Sequence, residues 1–199
     1  MASATTTAAL PDSGRDRIMD EAATLFLQQG YDATSLRHIA DVAGMKAGSI
    51  YYHFASKEDL LAAILRRGIS VMETAFDEAE RTADKKPAEQ IAAHVRAHLA
   101  ALYENGPYTA AHVVTFRTAP DAVRHEIVPV RDAYEARWTE LLRRLQADGK
   151  IPPTVDVNVA RLILFGAMNS SVEWFDPGRG NLDRFAAAIT RQFWNGVAA

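Results

Sequence analysis

The chain has 199 residues, 48% of them hydrophobic and 24% charged, the balance of an ordinary soluble globular protein with room for one good core, or for a small domain sharing a core with a larger one. It has no cysteine, which excludes disulfides, iron–sulfur clusters and thiolate zinc sites and fits a reducing cytoplasm. Its net charge is −3, and its longest apolar runs, such as Leu162 to Met168, are far too short to cross a bilayer.

In chain order, residues 1–12 read as a disordered Ala/Thr-rich tail without the basic region of a secretory signal. Ser13 and Asp16 form an S-x-x-[DE] capping pair that opens a first helix. That helix places Ile18, Ala22, Leu25 and Phe26 on one face and stops at Gly30. A second helix begins at Thr34 or Ser35, buries Leu36, Ile39 and Ala40, and ends at Gly44. A short third runs from Lys46 to His53, and Ser56 with Asp59 caps a fourth that continues to Arg81.

Further helices fit 87–104, 108–117, 121–148, 155–175 and 181–196, separated by Asn105-Gly106-Pro107, Pro120, Gly149 to Pro153 and Pro177 to Gly180. Pro129 should kink or split the 121–148 segment. The reading is all-α with about nine helices, since strand-like alternation is absent.

Ala40, Gly44 and Ile50 have the spacing of a helix-turn-helix. Two steeply crossing helices admit only a small residue at their closest point, the turn needs a positive φ, and the second helix must turn an apolar residue back on the first. The charge is awkward for DNA binding: residues 1–60 hold Arg15, Arg17, Arg37, Lys46 and Lys57 against eight carboxylates. From Val42 to Lys57, however, no acidic residue occurs, so any DNA contact must concentrate there.

Residues Thr34 to Leu61, TSLRHIADVAGMKAGSIYYHFASKEDLL, resemble the signature of the tetracycline-repressor-like (TetR/AcrR) family, most of all in Gly48 to Phe54 and Ser56 to Leu61. The likeness extends to Ala22, Phe26 and the Gly30-Tyr31 exit of the first helix. It implies a helix-turn-helix domain over 13–57 and a helical ligand-binding and dimerisation domain over 58–199. By the same resemblance, Thr34 and Ser35 start the second helix over the phosphate backbone, and Arg37 reaches a base edge. Lys46, Ser49, Tyr51 and Tyr52 face the major groove, Gly48 allows close approach, and His53, Lys57 and the amide at the start of the fourth helix grip phosphates. Ala47 and Gly48 carry no base-reading group, which limits readout to Arg37, Lys46 and the tyrosines. Phe54 reads as core.

In the C-terminal part, Phe76, Phe116, Trp138, Asn169 and Trp174 are the effector-binding candidates. Gly166, Ala167, Ser170 and Ser171 form a small-residue stripe that, with Phe185, Ala188, Ile189 and Phe193, reads as a homodimer face; the family builds a four-helix bundle there. His94 and His98 stand four apart, a spacing that suits a metal, but exposure or a place beside a ligand pocket fits them better, and no metal site or cofactor is expected. No nucleophile elbow, phosphate loop or paired carboxylates point to an enzyme.

The function these features imply is a cytoplasmic, effector-responsive regulator, a repressor bound to a palindromic operator in double-stranded DNA. An activator or a ligand-independent dimeric DNA-binding protein stays open as an alternative. Residues Asn169 to Gly178, NSSVEWFDPG, resemble regulators that answer to acyl-CoA thioesters in lipid or steroid catabolism. Glu173 fits an anionic ligand poorly, so a hydrophobic drug, an antibiotic or another metabolite stays open as the effector.

Overall fold

The computed structural model describes residues 14–84 and 86–198, so Ser13 of the first capping pair and the 1–12 tail lie outside the described residues. Among these residues there are nine α-helices and two short 3₁₀ turns, with no strand: α1 (Gly14–Gln29), α2 (Leu36–Val42), α3 (Ala47–His53), α4 (Lys57–Thr82), α5 (Pro87–Tyr103), α6 (Tyr108–Thr115), α7 (Asp121–Ala147), α8 (Val157–Asn169) and α9 (Leu182–Val197). No helix among them is long and apolar enough to cross a membrane.

The punctuation follows local chemistry. Ser35 caps α2 by accepting from the His38 amide, Ser56 caps α4 through the Asp59 amide, and Asn181 caps α9 through the Arg184 amide. Asp156 caps α8, and Pro87 sits in the first turn of α5, where its missing N–H costs nothing. Two segments end earlier than their pattern: α6 tightens into a 3₁₀ turn at Phe116–Thr118, and α8 into another at Ser170–Glu173. The proline in α7 does not split it, and the helix is continuous from Asp121 to Ala147. Pro129 and His125, whose carbonyl it leaves without an intrahelical donor, both lie on the exposed face, open to solvent.

Helices α1–α3 pack around Ile18, Phe26, Ile39 and Ile50, all fully buried. By its length α4 spans roughly 39 Å at about 1.5 Å per residue, and it leaves this small bundle to become the axis of the larger one. Leu60, Leu61, Ile64 and Leu65 are buried near its start, and Phe76 further along packs against His94, Tyr134 and Trp138. Helix α6 lies across α4 so closely that Gly68 is obligatory: a Cβ there would stand 2.6 Å from the Tyr108 carbonyl oxygen. Thr109 donates to the Gly68 carbonyl, and the Tyr108 hydroxyl reaches back to Asp20 on α1. Helix α6 is therefore bonded to both bundles.

Candidate nucleic-acid interface and effector site

The turn between α2 and α3 has the geometry that its residues demand. Ala40 and Ile50 are fully buried at the helix crossing, Gly44 sits at φ 66°, and the Met45 amide closes the turn onto the Ala40 carbonyl at 2.8 Å. With Ile50 turned inward, the opposite face of α3 faces solvent. Tyr51 is 61% exposed and Tyr52 88%, so neither belongs to a core, whereas Phe54 is buried under the Arg15 guanidinium. Two bare aromatic rings on a short helix form an exposed patch that calls for a partner. Lys46, Ala47 and Gly48 are exposed beside them, Ser49 and His53 are half-buried, and the Tyr52 ring meets the His53 ring edge-on. Arg37 and Ser35 are exposed on α2 and at its start. Among the described residues no ion pair engages Arg37 or Lys46.

Two residues expected on the phosphate-facing surface are placed otherwise. Thr34 is 1% exposed; its hydroxyl donates to the Gly30 carbonyl and accepts from Gln29, so it builds the turn between α1 and α2. The Lys57 ammonium donates to the carbonyls of Tyr31 and Thr34, both at 3.0 Å, and lies 4.0 Å over the Tyr31 ring. Two of its three donors are engaged, and the residue pins the start of α4 to that turn. Of the cations expected on that surface, Arg37 and Lys46 remain exposed for a partner.

On the far side of the molecule, Gly166, Ala167 and Ser170 are exposed on α8 and in its terminal turn. The sequence reading missed the larger side chains of the same face: Val159, Leu162 and Ile163 are exposed too. Their signal was present, since α8 also buries Val157, Ala160, Leu164 and Phe165 and is thus apolar on two faces, as a helix between two packing partners must be. On α9, Phe185, Ala188 and Ile189 are half-buried, while Phe193, expected on the dimer face, is only 8% exposed and packs into its own chain.

The expected effector residues separate. Phe76 and Trp138 are packed into the core, their rings 5.6 Å apart and in edge contact with His94 and Phe165. Trp174 lies outside, 62% exposed with its ring against Phe185. Phe116 and Asn169 do come together, on the wall of a groove of about 700 Å³ between α6, α7 and α8.

The histidines also depart from expectation. His94 and His98 are buried, because they face inward from α5 onto Trp138. A polar chain crosses this core: the Trp138 indole donates to the Tyr134 hydroxyl, which donates to His98 Nδ1, and His98 Nε2 donates to Asn169 Oδ1 at 2.9 Å. Burial pushes the His98 imidazole down to about 4, against the opposing pull of Asn169. Burial, with Arg131 adding to it, does the same to His112, also down to about 4. Burial also lowers His94, which the Gln90 carbonyl and Glu80 oppose. No group of three or more His, Asp or Glu among the described residues is placed to hold a metal ion.

Comparison with known proteins accounts for this arrangement. Residues 18–64 match the family model described as bacterial regulatory proteins, tetR family, and residues 84–197 match the tetracyclin repressor-like C-terminal domain. The chain is 29% identical over 169 residues to the HTH-type transcriptional repressor KstR2 of Mycolicibacterium smegmatis, covering 84% of this chain and 82% of that one. It superposes on the ketosteroid transcriptional regulator KstR2 of Mycobacterium tuberculosis with a TM-score of 0.80 at 24% identity, over 98% of this chain and 100% of that one. It also superposes on AibR, solved in complex with isovaleryl coenzyme A and operator DNA, with a TM-score of 0.81 at 24% identity, over 90% and 97% of the two chains. The chain belongs to the tetR family of bacterial transcriptional regulators.

Proposed function

We propose that the protein is a cytoplasmic, homodimeric repressor that holds a palindromic operator through α3 and the start of α2 and releases it when a small hydrophobic effector, an acyl-CoA thioester, enters the C-terminal bundle. The observation that carries the DNA-binding part is the bare face of α3: exposed Tyr51 and Tyr52 beside exposed Lys46 in a segment, Val42 to Lys57, without an acidic residue, with Arg37 also exposed on α2 and neither cation in an ion pair. Ser49 and Gly48 bring that face close to the groove, while Ser35, His53 and the amides of the first α4 turn hold phosphates. Arg37 is the long donor that discriminates bases.

The apolar outer face of α8, with α9, is the surface on which a second copy docks, and it sets the two α3 helices about one DNA turn apart, near 34–36 Å. The groove beside α6 supports effector-responsive release over a solid dimerisation core, and the isovaleryl coenzyme A complex of AibR supports the thioester. An effector acts only by favouring one spacing of the reading heads over another. A mobility-shift titration on an inverted-repeat operator, with acyl-CoAs of increasing chain length, tests this. Release by at least one of them at micromolar concentration is expected, and release by none removes the thioester.

A further inference from the structure

Among the described residues, three buried side-chain polar atoms have no hydrogen-bond partner, and two of the residues that own them line the groove between α6, α7 and α8. One atom is Nε of Arg161 on α8, a donor. The other is Nδ1 of His112 on α6, whose imidazole bonds the Leu65 backbone. A neutral imidazole that donates to a carbonyl through Nε2 leaves Nδ1 as an acceptor. Unpaired buried groups are costly and rare, and two on one groove wall mark a surface complementary to something absent.

The rest of the wall describes the ligand. Phe165, Leu162 and Val113 make one side apolar. Arg131 and Arg161 converge on Glu135, Arg131 also pairs with Asp132, and the wall adds Arg117, which makes no ion pair among the described residues, and Glu173, so its charges are mixed rather than cationic. Phe116 stacks on the His112 ring and lies 4.5 Å under the Arg131 guanidinium.

We propose that this groove is a binding site for an acyl group that ends in an oxygen acceptor and carries a hydroxyl or amide donor. Arg161 Nε donates to the acceptor, the apolar wall takes the chain, and His112 Nδ1 accepts from the donor. The assignment rests on the effector reading above and gives that effector its chemistry. Carboxylates and coenzyme A thioesters share this chemistry, and titration separates them.

The test is calorimetric titration of the full chain with decanoate, 3-hydroxydecanoate, decanoyl-CoA and 3-hydroxydecanoyl-CoA, with mobility shifts on operator DNA run in parallel. Within the carboxylate or the thioester pair, the hydroxylated member is expected to bind about tenfold tighter, the scale of one buried hydrogen bond made to a previously unpaired group. That preference disappears in His112→Leu, which keeps the bulk of the side chain and melts no lower than the parent. Arg161→Lys, which keeps the charge facing Glu135 but lacks the Nε donor, weakens all binders by a similar factor. Binding by none of the four compounds overturns the proposal, as does a hydroxyl preference unchanged in His112→Leu. A compound that releases the operator equally from parent and both variants overturns the groove while sparing the repressor reading. A compound that binds with the expected variant pattern yet leaves the operator bound sustains the groove and removes that compound as effector.

Discussion

The two bundles handle charge in opposite ways. In α4–α9 the arginines are largely engaged: Arg66 with Glu126, Arg96 with Glu104 and Asp183, Arg137 with Asp77, Arg144 with Glu80. On α2 and just before α3, Arg37 and Lys46 are exposed without such partners, and the Tyr51 and Tyr52 rings on α3 face solvent. Exposed ion pairs are worth little to stability, but they remove charge from the outside field. A chain of net charge −3 can thus still offer DNA a cationic, aromatic surface, because what matters is where a cation is left uncompensated. The bundles differ inside as well: the larger one buries three imidazoles, His94, His98 and His112, where the smaller one buries aliphatic and aromatic side chains.

That internal difference yields the largest expected effect. In the folded chain His98 and His112 sit at about 4, below their ordinary 6.5, so between these values the unfolded chain binds protons that the folded chain does not. Stability is full above pH 6.5, falls as pH drops through that window, and the loss is complete below 4. At about 1.4 kcal/mol per pK unit, each imidazole contributes roughly 3 kcal/mol to the loss. Denaturant melts at pH 7, 5.5 and 4.5 measure it. A His98→Leu variant that keeps the full pH slope would separate the acid response from the buried imidazole.

Next in size is Gly68→Ala. The added methyl meets the Tyr108 backbone, so α4 and α6 must part, at a cost of about 3 kcal/mol in thermal melts together with weaker operator binding. An unchanged melt would mean that α6 is not clamped between the bundles. Arg37→Ala leaves stability alone and reduces the ratio of operator to random-sequence affinity by about 1–3 kcal/mol. The smallest effects contrast two lysines in a salt titration. Lys46→Ala lowers the slope of log affinity against log salt by roughly 0.9, the loss of one phosphate contact. Lys57→Met leaves that slope in place and lowers the melting temperature, because its ammonium is tied to the Tyr31 and Thr34 carbonyls. Equal salt slopes for the two would erase the contrast between the free and the engaged cation.

How far the sequence carried the reading follows the range of the interactions. Caps at Ser35 and Ser56, the positive φ of Gly44 and the inward turn of Ile50 are settled within a few residues, so they could be read directly. Lys57 failed that kind of reading because its partners lie 23 and 26 residues back, and nothing next to it in the chain tells of two carbonyls overhead. Phe76 and Trp138 looked equally suited to a cavity wall or a packed core, and only the arrival of His94 and Phe165 from other helices decides for the core. The groove is the extreme case: His112, Arg131 and Arg161 come from three helices, and the unpaired atoms exist only after packing. Pro129 shows the converse, a strong local signal muted because its face of α7 is open to water.

The central claim is that two copies present the bare face of α3 to one palindrome. Hydroxyl-radical footprinting of an inverted-repeat operator, with the mass of the complex measured by sedimentation, tests it most directly. The account predicts two chains on one duplex, two protected half-sites centred about 10 base pairs apart, and loss of both when Tyr51 and Tyr52 are changed to alanine. A single chain per operator, an asymmetric footprint, or full protection by the double alanine variant would contradict it.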